Sequence, residues 1–229
     1  MKDLLEKILS YLPVYIPDLI HIVSRPKHFV AERNKGNEGD LIKAFTFLGV
    51  SLAIFFILQA PVTTLGRSLL NDTASRGILY LLSIVVFSAV LLLSWRIVGG
   101  KATYQGYLLT SSYYGGVIAI GLAIATLSSV GILRAFYPES KALFDKFVAT
   151  GNISLVYNAE STVLRGIVVS FLLFLVVAVP SFVWGLIGWG AYRELNQLPR
   201  SRSCAALFLS ILFYLPIIAL EMAIVLASS

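Results

Sequence analysis

Five stretches of this chain, near residues 44–65, 77–98, 107–133, 163–191 and 204–227, are long and apolar enough to cross a lipid bilayer. At a rise of 1.5 Å per residue, about 20 residues span the hydrocarbon layer. Within that layer each backbone N–H and C=O needs a partner in the protein, which leaves helices or a closed barrel. The runs are too continuous for the alternating pattern of barrel strands. Composition agrees: 58% of the 229 residues are hydrophobic and 13% are charged, against about 25% charged in a soluble domain. Mean hydropathy is +0.85. The sequence therefore predicts an all-α polytopic membrane bundle of five transmembrane helices, preceded by an N-terminal amphipathic helix. The third and fourth stretches exceed one bilayer width, so they tilt, kink or extend beyond it.

Residues 1–43 read as a water-facing cytoplasmic region. Leu4, Leu5, Ile8, Leu9 and Leu12 recur at helical spacing, with Lys2, Asp3, Glu6 and Lys7 opposite. Pro13 and Pro17 are expected to break or kink that helix. It either lies on the membrane surface or packs against the bundle. The polar run from Glu32 to Asp40 reads as a loop. The external loop, 134–162, carries an interfacial helix that starts at Pro138 and ends at Gly151-Asn152. Leu143, Phe144, Phe147 and Val148 share one of its faces, which either seals the bundle or serves as a lid or docking surface. Asn152-Ile153-Ser154 matches a glycosylation acceptor on that side, relevant only in a eukaryote.

Cations give an orientation. Lys2, Lys7, Arg25, Lys27, Arg33, Lys35, Lys43, Arg96, Lys101, Arg193, Arg200 and Arg202 fall on one side, and Arg67, Arg76, Arg134, Lys141, Lys146 and Arg165 on the other, twelve against six. The positive-inside rule then places the N-terminus in the cytoplasm and the C-terminus outside. The net charge of +6 is read as this topology signal and not as a nucleic-acid footprint. A second use is contact with anionic lipid, for which Lys2, Lys7, Arg25, Lys27, Arg33 and Lys35 are the candidates.

Chemistry-bearing residues are sparse. Glu221, amid apolar neighbours in the fifth span, is a candidate intramembrane polar site or an interfacial carboxylate reaching for water. Gln59 and Pro61 interrupt the first span, and Gln59 is the second candidate. Pro180 and Pro216 sit inside spans four and five, as packing kinks or as parts of a broken-helix site. Small residues in span three (Gly115, Gly116, Ala119, Gly121) and span four (Gly185, Gly188, Gly190) mark these two as central helices. His21 and His28 have no cysteine partner or metalloprotease-type spacing, so a structural role is expected. A single cysteine, Cys204, excludes an internal disulfide. No phosphate loop, nucleophile elbow or carboxylate pair is visible, and the reading is a protein without cofactor or metal and not an enzyme.

Several short motifs, in order, resemble the Yip family of five-span, Ypt/Rab-interacting membrane proteins, in the broad sense that includes bacterial members. They are Arg25-Pro26-Lys27-His28-Phe29 before span one and Gly99-Gly100-Lys101-Ala102-Thr103-Tyr104 after span two. Tyr113-Tyr114 in span three, Trp189 and Tyr192, and Ser201-Arg202-Ser203-Cys204-Ala205-Ala206 before span five complete the set. Gly115-Gly116 stands where the family often has a proline, and the N-terminal region is short and basic where eukaryotic members carry a longer acidic one. The resemblance implies five helices, a cytosolic N-terminus and a bacterial inner-membrane protein. The expected function is a scaffold or adaptor that organises lipids, partner proteins or copies of itself. The alternative is a carrier or channel for a small solute or lipid. An aqueous cavity lined by Gln59, Ser111, Ser112 or Glu221 would favour the carrier, and a solid apolar bundle the scaffold.

Overall fold

The computed structural model describes residues 2–34, 38–59, 69–150, 154 and 159–227. Eight helices follow one another among the described residues: α1 Lys2–Ser24, α2 Pro26–Arg33, α3 Glu38–Gln59, α4 Leu69–Ile97, α5 Tyr104–Phe136, α6 Pro138–Thr150, α7 Ser161–Asn196 and α8 Arg200–Ala227. Five segments, Gly39–Gln59, Gly77–Ile97, Tyr104–Phe136, Ser161–Asn196 and Arg200–Ala219, have the length and composition of membrane spans. This is the all-α polytopic bundle that the apolar runs dictate. The end of the first predicted span, 60–65, and Pro61 lie outside the described residues.

Helix α5 is the axis of the bundle, packed on α3, α7, α4 and α6. Its glycines let the neighbours approach. A Cβ on Gly116 would meet Phe47 Cε1 at 2.7 Å and Ser51 Oγ at 2.8 Å, and one on Gly115 would meet Ile84 Cδ1 at 2.6 Å. The tyrosine of the opposing helix also uses this seam, since Tyr80 OH donates to Gly115 O at 2.8 Å. Helix α7 packs on α5, α2 and α6, but along one side only. It buries a narrow stripe, including Gly166, Ser170, Gly188, Ala191, Tyr192 and Asn196, while Phe171, Val176, Phe182 and Ile187 face outward. Its small residues serve one close contact line, not an all-round burial. At 33 and 36 residues, α5 and α7 run to roughly 50 Å, well beyond a ~30 Å hydrocarbon layer. The interior prolines Pro180 and Pro216 leave α7 and α8 continuous in helical assignment.

Two boundaries differ from the sequence expectation. Helix α1 continues through Pro13 and Pro17. Each proline removes one backbone bond, but Tyr15 and Ile22 are fully packed against the bundle and hold the segment. The Glu32–Asp40 run is mostly helical: Glu32 and Arg33 close α2, and Glu38 to Asp40 open α3. Acidic groups in a first turn suit the positive end of the helix dipole, which favours that start. Lys35 lies outside the described residues.

Helix α6 begins at Pro138, as the sequence predicts. It docks through Ser140, whose hydroxyl donates to Val163 O at 2.7 Å. Its apolar face does not close on the bundle: Phe144 is exposed and Leu143 and Phe147 are half-buried. Val148 and the Gly151-Asn152-Ile153 segment fall outside what is described.

Candidate functional site

The residues that carry the resemblance converge at one end of the bundle. This end gathers the start of α3, the end of α4, the start of α5, the end of α7 and the start of α8, with α1 and α2 laid over it. Local signals build each corner. At the end of α4, Gly99 takes φ +94° and its N–H returns to Arg96 O, while Gly100 N–H returns to Trp95 O at 2.7 Å. Only glycine adopts that left-handed conformation freely. Thr103 then caps α5, its hydroxyl accepting from Gly106 N–H at 3.3 Å. Helix α7 ends on Gln197 at φ 53°, with Leu198 N–H reaching back to Arg193 O.

Asn196 ties these corners together. Its Oδ1 accepts from Tyr107 OH at 2.8 Å and from Ala102 N–H at 3.2 Å, and its Nδ2 donates to Tyr192 O at 2.7 Å. Tyr192 and Ser111 share a hydrogen bond of 3.0 Å between their hydroxyls. Tyr114 OH donates to Gly188 O at 2.9 Å. Trp95 stacks on Trp189 at 5.5 Å, and Trp189 Nε1 donates to Ser203 Oγ at 3.0 Å. Buried hydroxyls, amides and indoles cost free energy when unpaired, and this network pairs the Tyr107, Ser111, Tyr114, Trp189, Tyr192 and Asn196 groups across α5, α7 and α8, while Trp95 Nε1 is left without a partner among the described residues.

The N-terminal helices close over this network. Phe29 of α2 is 0% exposed and meets Tyr113 edge-to-face at 4.8 Å. Tyr113 contacts Phe47, and Phe47 contacts Tyr15 of α1 at 4.8 Å. The Tyr15 and Ser51 hydroxyls share a bond of 2.9 Å. Arg33 bonds Asp18 at 2.5 Å and lies 5.5 Å from the Phe29 ring centre. Among the described residues, Asp18 Oδ2, Asp40 Oδ2, Trp95 Nε1 and the hydroxyls of Tyr11 and Tyr113 are buried without a hydrogen-bond partner. Burial pushes the Tyr11 phenol above its ordinary range, and the Asp18 carboxylate adds to that against the opposing pull of Arg33. The inner face of α1 thus packs on the bundle, while Val14, Ile16, Ile20 and Val23 on its outer face remain exposed. The side chains of Leu4, Leu5, Ile8 and Leu9, on which the amphipathic reading of the N-terminus rests, lie outside the described residues.

The expected site residues are dispersed. Arg25 is exposed, and Lys27 lies across Gly190 of α7 in a cleft of about 180 Å³ that Glu194 also lines. Arg33 is committed to Asp18 and only partly faces outward. The side chains of Lys2, Lys7 and Glu221 lie outside the described residues, and Gln59 is half-buried at the end of α3. Ser111 and Ser112 are buried within the bundle, Ser112 donating to Leu108 O at 2.7 Å. Two larger cavities are apolar. One of about 440 Å³ opens among α4, α5, α7 and α8, with Phe87, Leu122, Phe182 and Ile211 in its wall. Another of about 540 Å³ lies between α1, α5 and α7, beside Leu19, Ile124 and Pro180.

Sequence reasoning missed one cluster. The two histidines are joined by Glu32, His28 on its own helix turn and His21 across the α1–α2 corner. The four-residue spacing of His28 and Glu32 was the available signal.

The fold and this site define a polytopic α-helical membrane protein whose bundle is capped at one end by two N-terminal helices. Comparison of the chain with protein-family models, with curated proteins and with solved structures returns no match.

Proposed function

We propose that the protein is a non-catalytic membrane adaptor of the Yip type that organises lipids or partner proteins at its α1–α2 end. One observation carries the reading: the hydroxyls expected to line a solute path, Ser111 and Ser112, are consumed in hydrogen bonds inside the bundle. A path for a polar solute needs polar groups facing water. The convergence of the resembled motifs on the capped end gives that end the role of the working face. In this reading the cap is cytoplasmic, the C-terminus is outside, and the membrane is a bacterial inner membrane, in keeping with twelve cations on the capped side against six. The apolar cavities favour a second reading, a lipid carrier, because their walls suit acyl chains better than ions or sugars.

The test pairs two measurements. A pull-down from native membranes with lipid analysis is expected to recover anionic lipid or a membrane-protein partner in constant ratio. Vesicles carrying the purified protein are expected to show no solute leak and no lipid exchange between leaflets above empty vesicles. Saturable solute flux or lipid exchange would replace the adaptor with the carrier.

A further inference from the structure

We propose that His21, His28 and Glu32 form a binding site for a borderline divalent transition metal such as Zn²⁺, clamping the end of α1 to α2. His21 sits in the last turn of α1, and Pro26 starts α2 two residues after Ser24, so the chain turns sharply at Arg25. That turn is bonded, with Arg25 N–H to His21 O at 2.8 Å. It brings His21 Nδ1 to 3.9 Å from one carboxylate oxygen of Glu32, while His28 Nδ1 lies 3.5 Å from the other. One donor atom from each of the three residues lies within 4.8 Å of the other two.

The His28–Glu32 separation is already that of coordinated donors, and the His21–Glu32 separation is wider. With metal–ligand bonds of about 2.0–2.2 Å, tetrahedral donors stand roughly 3.3–3.6 Å apart. Binding therefore requires the His21 side chain to move its Nδ1 closer to Glu32. The His21 ring is already seated, edge-on to the buried Phe29 at 5.4 Å. Two imidazoles and one carboxylate are the donor set of Zn²⁺, Co²⁺ and Ni²⁺, whereas Mg²⁺ and Ca²⁺ prefer oxygen alone. All three side chains are partly open to solvent, so an ion has a route in and keeps one position for water or a partner's ligand. An ordinary His–Glu ion pair would use the same contacts without requiring both histidines to face one carboxylate.

The experiment uses full-length, tag-free protein in detergent. Zn²⁺ titrated by calorimetry is expected to bind at one equivalent and to raise the melting temperature. Glu32→Gln and His28→Ala should each weaken binding at least tenfold and remove the melting shift, while Cys204→Ser should leave both unchanged. Excess Mg²⁺ should not compete. Bound Co²⁺ should give a visible spectrum without thiolate charge transfer, a readout that needs no variant to fold. Absence of saturable Zn²⁺ binding, retention of wild-type affinity in both variants, or a thiolate signature placing the metal on Cys204 would overturn the site. The adaptor reading rests on the bundle and would survive that result.

Discussion

Asp18 and Arg33 form an ion pair at 2.5 Å that joins α1 to α2, with the carboxylate side chain 7% exposed and the guanidinium 31%. A buried charge that loses its partner is costly because its desolvation is no longer offset. Arg33→Leu is therefore expected to destabilise the protein by about 2 kcal/mol, at the low side for a buried pair because the guanidinium is partly solvated. Asp18→Asn combined with Arg33→Leu should recover part of that loss. Melting of the three variants in detergent, treated as a double-mutant cycle, checks both statements. A cycle with no coupling would show that the pair does not hold the cap.

Asn196 accepts from Tyr107 and Ala102 and donates to Tyr192. Asn196→Leu leaves a buried phenol and a buried N–H without an acceptor, each costing about 1–3 kcal/mol. The expected loss is about 3 kcal/mol in total, which thermal or denaturant unfolding in micelles would measure. Asn196→Leu as stable as wild type would mean that water reaches these groups.

The α3–α5 seam depends on a missing side chain. Gly116→Val must displace Phe47 and Ser51 of α3, whose atoms already stand at 2.7 and 2.8 Å from the added Cβ. Overpacking of this kind costs roughly 1–3 kcal/mol. Gly49→Ala, on the open side of α3 with nothing within 4 Å, should be neutral or slightly stabilising, since alanine is the better helix former. Relative melting temperatures of the two variants give the comparison, and equal losses would argue against the close approach of α3 and α5.

The spans were legible because lipid imposes its own length on an apolar helix. What the sequence could not display is how α1 and α2 sit on them. Tyr15 finds Ser51, and Phe29 finds Tyr113, across 36 and 84 positions. Pro13 and Pro17 are local signals for a break, and the burial of Tyr15, Asp18 and Ile22 overrides them. The His21, His28 and Glu32 cluster exists only after the chain turns at Arg25. Asn196 reads in the sequence as one polar residue near a helix end, although it bonds partners 94 and 89 positions away.

Gln197 closes α7 at φ 53°, exposed to solvent. A non-glycine residue in the left-handed region is disfavoured by about 1–2 kcal/mol, partly offset on mutation because glycine frees the unfolded chain. Gln197→Gly is expected to stabilise the protein by about 0.5 kcal/mol. A small rise in melting temperature, with unchanged helical circular dichroism, is the measurement. A fall would mean that the Gln197 side chain makes a contact that outweighs the strain.

Cys204 makes the proposed orientation testable in the native sequence. It is the one cysteine of the chain and is exposed in the first turns of α8, at the end of the bundle capped by α2. With that end cytoplasmic, a membrane-impermeant maleimide should not reach Cys204 in intact cells and should label it after lysis. Moving the thiol to α6, as Lys146→Cys in a Cys204→Ser background, should reverse the pattern, because Lys146 is exposed near the opposite end. Labelling of Cys204 in intact cells, with Lys146→Cys protected, would invert the topology and with it the meaning of the cation imbalance. The cap would then face outward, and an adaptor for cytoplasmic partners would have to be abandoned.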